Sequence, residues 1–83
     1  MGKSVDVHGC TVEEALNLIY NQIDYCAKHN IGSLDVIHGW DHGNKIKTRV
    51  LHLTNSFHPA VISVRENIIN NGVSTITIKT KLY

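Results

Sequence analysis

The sequence predicts a small α/β domain of β-α-β-α-β-β order, and three observations carry that prediction. Apolar and polar residues alternate along Ser4-Val5-Asp6-Val7-His8 and again along the β-branched Val73-Ser74-Thr75-Ile76-Thr77-Ile78-Lys79, the period of strands with one buried face. Between them, Thr11 and Glu14 form a capping-box pattern ahead of an apolar stripe at helical spacing. At 83 residues, finally, the chain has room for one domain and one core, spanning residues 1–83.

The first strand, over residues 4–8, is closed by Gly9. Behind the cap, Val12, Ala15, Leu16, Ile19, Ile23, Cys26 and Ala27 recur at steps of three and four and give one apolar face, with Asn30 and Gly32 as the stop. A second strand over residues 34–38 ends at Gly39 and the polar stretch Trp40-Asp41-His42-Gly43-Asn44. Asn44 is placed to cap a second helix with Ile46, Val50, Leu53 and Phe57 on its inner side, and Pro59 is expected to end it, because proline disfavours helical geometry in the preceding residue. Two strands follow, over residues 60–65 and 73–79, with Asn70-Asn71-Gly72 as a turn between them.

A strand-helix-strand crossover of this length joins parallel strands with right-handed sense. If the first two strands are also neighbours, the turns at Gly9 and Gly39 lie side by side at the carboxyl edge, where open α/β sheets bind ligands.

With 42% hydrophobic and 18% charged residues and one proline, the composition is that of a folded chain and not of a disordered tail. The apolar runs are too short to span a membrane, and the opening Met1-Gly2-Lys3-Ser4 lacks the apolar core of a signal peptide. A cytoplasmic protein without a membrane partner is expected. Cys10 and Cys26 show no CxxC spacing, so reduced thiols are expected. Charge is unevenly placed: residues 1–42 set two basic groups against six acidic ones, and residues 43–83 six basic against one. A basic second half suits a polyanionic partner and equally a solvated surface.

Chemistry concentrates at the two His-Gly turns. His8 and His38 each end a strand, and imidazole titrates near neutrality, as acid–base catalysis requires. Asp6 lies two residues before His8, hence on the same strand face, where it can orient an imidazole, activate water, hold a divalent ion or simply support the turn. Gly39 and Gly43 let backbone N–H groups approach an anion, with Asn44, Lys45 and Lys47 beginning the next helix, although the same glycines also suit an ordinary loop. Trp40 on a polar turn can stack on an unpaired base or fold over the sheet edge, and His42 stands beside it. Asp6, His8, His38, Asp41 and His42 match no strong zinc spacing; Mg²⁺ or Mn²⁺ brought in with phosphate stays open, and no organic cofactor is expected. His29, His52 and His58 read as surface or helix-end residues.

Together, Val5-Asp6-Val7-His8-Gly9-Cys10-Thr11-Val12-Glu13-Glu14-Ala15, the turn Ile37-His38-Gly39 with His42-Gly43, and Asn71-Gly72-Val73-Ser74-Thr75-Ile76 resemble the Smr (small MutS-related) domain over nearly all of residues 4–80. The motifs in question are an LDxHG strand end, a T-x-x-E-A helix start and an HGxGxG turn. The resemblance implies an α+β two-layer sandwich like the C-terminal domain of bacterial translation initiation factor three, a four-stranded mixed sheet with both helices on one face. It also implies DNA or RNA as partner and endonucleolytic cleavage or nicking, in repair, recombination or translation quality control, with Asp6, His8, Gly9, His38, Gly39 and Gly43 as the motif residues. Three positions depart from the pattern. Val5 replaces leucine, Asp41 puts a carboxylate where the central glycine of HGxGxG is usual, and Ile46-Lys47 matches the Leu-Arg of the second helix one residue late.

Two readings compete, with a small-molecule or protein-interaction domain using the same edge as a third. In a nuclease, Asp6 or His8 handles water, His38 protonates the leaving oxygen, and Lys47 with backbone donors bears the developing charge. In a non-catalytic module, the same edge holds nucleic acid or a ribosomal surface without cutting. Either could use a partner chain or a second copy, and oligomeric state is not legible.

Overall fold

The alternating segments pair into one sheet. The computed structural model describes residues 2–39 and 45–80, with β1 (Gly2–Asp6), α1 (Val12–Lys28), β2 (Ser33–Ile37), α2 (Lys45–Leu51), β3 (Val61–Glu66) and β4 (Val73–Ile78) in that order. The four strands stand in the order β1-β2-β4-β3. β1 and β2 are parallel, whereas β4 runs antiparallel to both β2 and β3. A mixed sheet results, with β1, β2 and β3 all ending at one edge.

Register assigns every side chain to a face. Val5 lies opposite Val36, Leu34 opposite Ile76, Val36 opposite Ser74 and Val61 opposite Ile78, and because successive side chains point to opposite faces these residues share the inner one. Ala15, Ile19, Ile23, Cys26 and Ala27 of α1 and Val50 of α2 meet them, and with Val7 and Ala60 they complete the buried core. Asp35 and Thr75 face outward and pair there, the threonine hydroxyl donating to Asp35 Oδ1 at 2.7 Å. Among the described residues no helix is long and apolar enough to cross a membrane.

The ends of α1 form as the sequence predicts. Thr11 Oγ1 accepts from the Glu14 N–H at 3.1 Å, and Glu14 Oε1 accepts from the Thr11 N–H at 2.9 Å, so two otherwise unpaired donors are satisfied. At the other end Asn30 takes the left-handed conformation at φ 60°, and the Cys26 carbonyl accepts from His29 and Ile31, closing the last turn.

Other expectations need correction. The second helix ends at Leu51, not at Pro59. Leu53 donates to the Val50 carbonyl and Phe57 to the Thr54 carbonyl, both three residues back, while Thr54 Oγ1 accepts from Ser56 N–H. This local bonding by a short polar segment competes with helix continuation. Leu53 and Phe57 still pack on the core, but from the connecting turns. The expected cap at Asn44 lies outside the described residues. Strand limits shift by one or two residues, and His8 and His38 fall just beyond their strands.

His58 is also not a surface residue. It is buried, its Nδ1 accepts from the Ala60 N–H at 3.0 Å, its Nε2 lies 3.5 Å from Asp24 Oδ1, and the Tyr20 ring covers it. That contact ties the segment after α2 to α1.

Because Ile23 is fully buried between α1 and the sheet, Ile23→Ala should cost roughly 3 kcal/mol. Urea denaturation measures it, with Leu18→Ala, on the exposed side of the same helix, changing stability by less than about 1 kcal/mol.

Candidate functional site

The parallel pairing of β1 and β2 continues past Asp6 and Ile37 through one more bond, from the Val7 N–H to the Ile37 carbonyl at 2.9 Å. Val7 is thereby drawn inward and fully buried, and the chain turns at Gly9, whose φ is +80°. Gly39 turns likewise at φ +76°. Both are left-handed positions that suit glycine. A Cβ at Gly39 would sit 3.4 Å from His8 Cβ, so the two turns lie against each other, as a parallel adjacent pair requires.

Parity then separates the two histidines. His8 follows inward-facing Val7 and is exposed, whereas His38 continues the inward series Leu34, Val36 and is buried. Asp6 Oδ1 accepts from the backbone N–H of His8 at 3.1 Å and from its ring Nδ1 at 2.5 Å. Hydrogen bonding to His8 holds the Asp6 carboxyl below its ordinary pKa, and the same bond, with the carboxylate's charge, raises that of His8. With Nδ1 occupied by Asp6, Nε2 is the ring nitrogen this pair leaves for a ligand.

His38 is held at both ring nitrogens. Nδ1 donates to the Gly39 carbonyl at 2.9 Å, which places the proton there, and Nε2 lies 2.9 Å from the hydroxyl of buried Ser74. Its backbone N–H and that of Gly39 both donate to the Gly72 carbonyl, at 2.9 and 3.1 Å. Backbone and ring together bind this turn to the start of β4. The structure thus brings Asp6 and His8 together in the open and turns His38 away from them.

Cations border a depression at the start of the two helices. Val12 at the start of α1 and Lys45, Thr48 and Arg49 of α2 border an open depression of about 480 Å³. Lys45 and Arg49 are exposed, four residues apart and so on one helical face. Arg49 did not stand out among the sequence candidates, although its spacing from Lys45 was a readable signal. Lys47, by contrast, pairs with Glu66 at the end of β3. Trp40, His42, Gly43 and Asn44, and with them Asp41, lie outside the described residues.

The described residues contain no group of three or more His, Cys, Asp or Glu side chains able to hold a metal. Asp6 and His8, already bonded to each other, do not make a tight metal site by themselves.

Comparison with known proteins adds the family. The Smr domain model matches residues 5–78. The chain belongs to the Smr domain family. A crystal structure of the Smr domain of Thermus thermophilus MutS2 superposes with a TM-score of 0.80 at 20% identity, covering 92% of this chain and 96% of that one. This Smr domain therefore shares its fold with that structure, including the four-stranded mixed sheet and two helices. No curated protein matches the sequence.

If Asp6 sets the proton affinity of His8, Asp6→Asn must lower the His8 pKa toward the ordinary imidazole value of about 6.5. An NMR titration of the His8 ring protons checks this: the wild-type midpoint lies above the variant's, and coincident midpoints would show that the bond has no effect in solution.

Proposed function

We propose that this Smr domain binds DNA or RNA along the edge formed by its two His-Gly turns and hydrolyses phosphodiester bonds there. The observation that carries the reading is the exposed Asp6–His8 pair, hydrogen-bonded at 2.5 Å, together with a cation-bordered depression whose rim includes Val12, four residues after His8. A carboxylate that fixes one imidazole nitrogen orients the other and stabilises the imidazolium. In hydrolysis, water adds to phosphorus and the bond to the leaving sugar oxygen breaks. His8 Nε2 gives that oxygen its proton; the proton shed by the attacking water passes to solvent, from which His8 is recharged. Lys45 and Arg49 offset the phosphate charge.

On this reading His38 is a positioning residue. Its bonds to Gly39 and Ser74 hold the second turn against His8, and the leaving-group proton comes from His8. Lys47 is held by Glu66, and Trp40, His42, Gly43 and Asn44, which stand between the second turn and α2 in sequence, are further candidates for contact with the nucleic acid. No step is assigned to Mg²⁺ or Mn²⁺; an ion carried by the substrate's phosphates would act in addition to these residues. A second reading, binding of nucleic acid or a ribosomal surface without cleavage, is favoured by the engagement of both His38 nitrogens and of Lys47, which among the described residues named for this site leaves His8 as proton donor and Lys45 and Arg49 as cations. A cytoplasmic location suits either reading.

The test is cleavage of end-labelled single-stranded RNA and of nicked or branched DNA by the wild type, His8→Gln and Asp6→Asn, with Mg²⁺, Mn²⁺ or a chelator. Product from the wild type, reduced at least about a hundredfold in His8→Gln, is the expected result. Because protonated His8 is the active form, the rate should fall as pH rises through its raised pKa, and in Asp6→Asn that fall should move to lower pH. Binding without any product establishes the second reading. In that case Lys45→Glu and Arg49→Glu should each weaken affinity and flatten its salt dependence by about one counterion.

A further inference from the structure

The β3–β4 connection carries a feature that the Asp6–His8 chemistry does not use. Ile68 and Ile69 are 94% and 97% exposed, two adjacent isoleucines with almost none of their surface buried. The loop that displays them is well bonded. Asn67 Oδ1 accepts from the N–H groups of Ile69 and Asn70 at 2.9 and 3.0 Å, Asn70 Oδ1 accepts from the Gly72 N–H at 3.0 Å, and Asn67 N–H donates to the Val73 carbonyl at 3.1 Å. Asparagine side chains that bond their own backbone in this way fix a tight turn. The isoleucines are thus held outward by a defined scaffold while the asparagine amides face the chain.

Location gives the pair its meaning. β1, β2 and β3 all end at the edge from which this loop projects. The loop's own Gly72 carbonyl receives the N–H groups of His38 and Gly39, so it is bonded directly to the second His-Gly turn. β4 lies two strands from β1, which at about 4.8 Å per strand sets the base of the loop about 10 Å from the end of β1. That is about three nucleotide steps at 3.4 Å each.

We propose that Ile68 and Ile69 form an apolar wedge that enters between neighbouring bases of the nucleic acid held at this edge, a few nucleotides from the phosphate facing His8. The inference rests on the nucleic-acid reading and deepens it. Branched aliphatic side chains serve as such wedges, unstacking a base step at a cost that the new apolar contact offsets. A protein partner fits the pair less well: a stable protein interface needs about 800 Å² per side, far more than two side chains at a loop tip present.

The experiment uses the whole chain with single-stranded RNA and a nicked DNA duplex, each carrying 2-aminopurine, whose fluorescence rises when it is unstacked, and fluorescein for anisotropy. Wild-type protein should bind with a rise in 2-aminopurine emission. Ile68→Ser/Ile69→Ser, whose changes lie in solvent and whose folding circular dichroism verifies, should still bind in a salt-sensitive way, about tenfold more weakly, and should lose the emission change. Binding without an emission change in the wild type, or an emission change that the variant retains, overturns the wedge and leaves the nucleic-acid reading intact. Absence of any binding by the wild type overturns both. If instead sedimentation shows wild-type self-association that the variant abolishes while nucleic-acid binding is unaltered, the pair serves a second copy of the chain and the wedge is wrong.

Discussion

The Gly72 carbonyl accepts from two consecutive backbone donors, His38 N–H and Gly39 N–H, and the geometry of the whole edge depends on that shared acceptor. It stops β2 at a defined residue and joins its end to the start of β4. Gly39 can then turn at φ +76° with its Cα against His8. Buried Ser74 completes the fastening through the His38 ring. Buried polar groups are costly unless satisfied. Here each supplies the partner the other needs, so a polar pair can occupy an otherwise apolar inner face.

From this arrangement follows a division of labour between two similar motifs. Both turns read His-Gly, and both end parallel strands, but the strands reach them in opposite phase. Phase sends His38 into the core margin and His8 into solvent beside Asp6. A repeated motif therefore yields one histidine bonded into the edge and one exposed beside Asp6. The family match over residues 5–78 identifies the scaffold, and the parity of each strand decides which ring is buried and which is exposed.

Much of this was legible in the sequence, for physical reasons that can be named. The Thr11–Glu14 capping box and the α1 stripe are local signals, and local hydrogen bonds and helical spacing fixed them in the structure. Parallel β1 and β2 followed from the crossover rule, whereas the adjacency of the two turns was conditional on the strands being neighbours, which the pairing of β1 with β2 supplies. The end of α2 was not legible, because Leu53 and Phe57 sit at helical spacing yet reach the core from irregular turns that Thr54 and its neighbours bond locally. Burial of His58 was hidden for a similar reason: it has no periodic context, and its partners Asp24 and Tyr20 are distant in sequence. The separate fates of His8 and His38 were implicit in the alternation Leu34, Val36, His38 against Asp6, His8, but choosing between them required knowing which phase of each strand was buried.

On the proposed function His38 holds the edge together while His8 acts on what binds to it, and paired stability measurements separate the two roles most directly. Urea denaturation of His38→Ala should show a loss of about 2 kcal/mol or more, since the Ser74 hydroxyl loses its partner and a void opens beneath Gly39. His8→Ala should leave the unfolding midpoint essentially unchanged. A stable His38→Ala, or a His8→Ala that destabilises the domain as much, would contradict the assignment of structure to one ring and chemistry to the other.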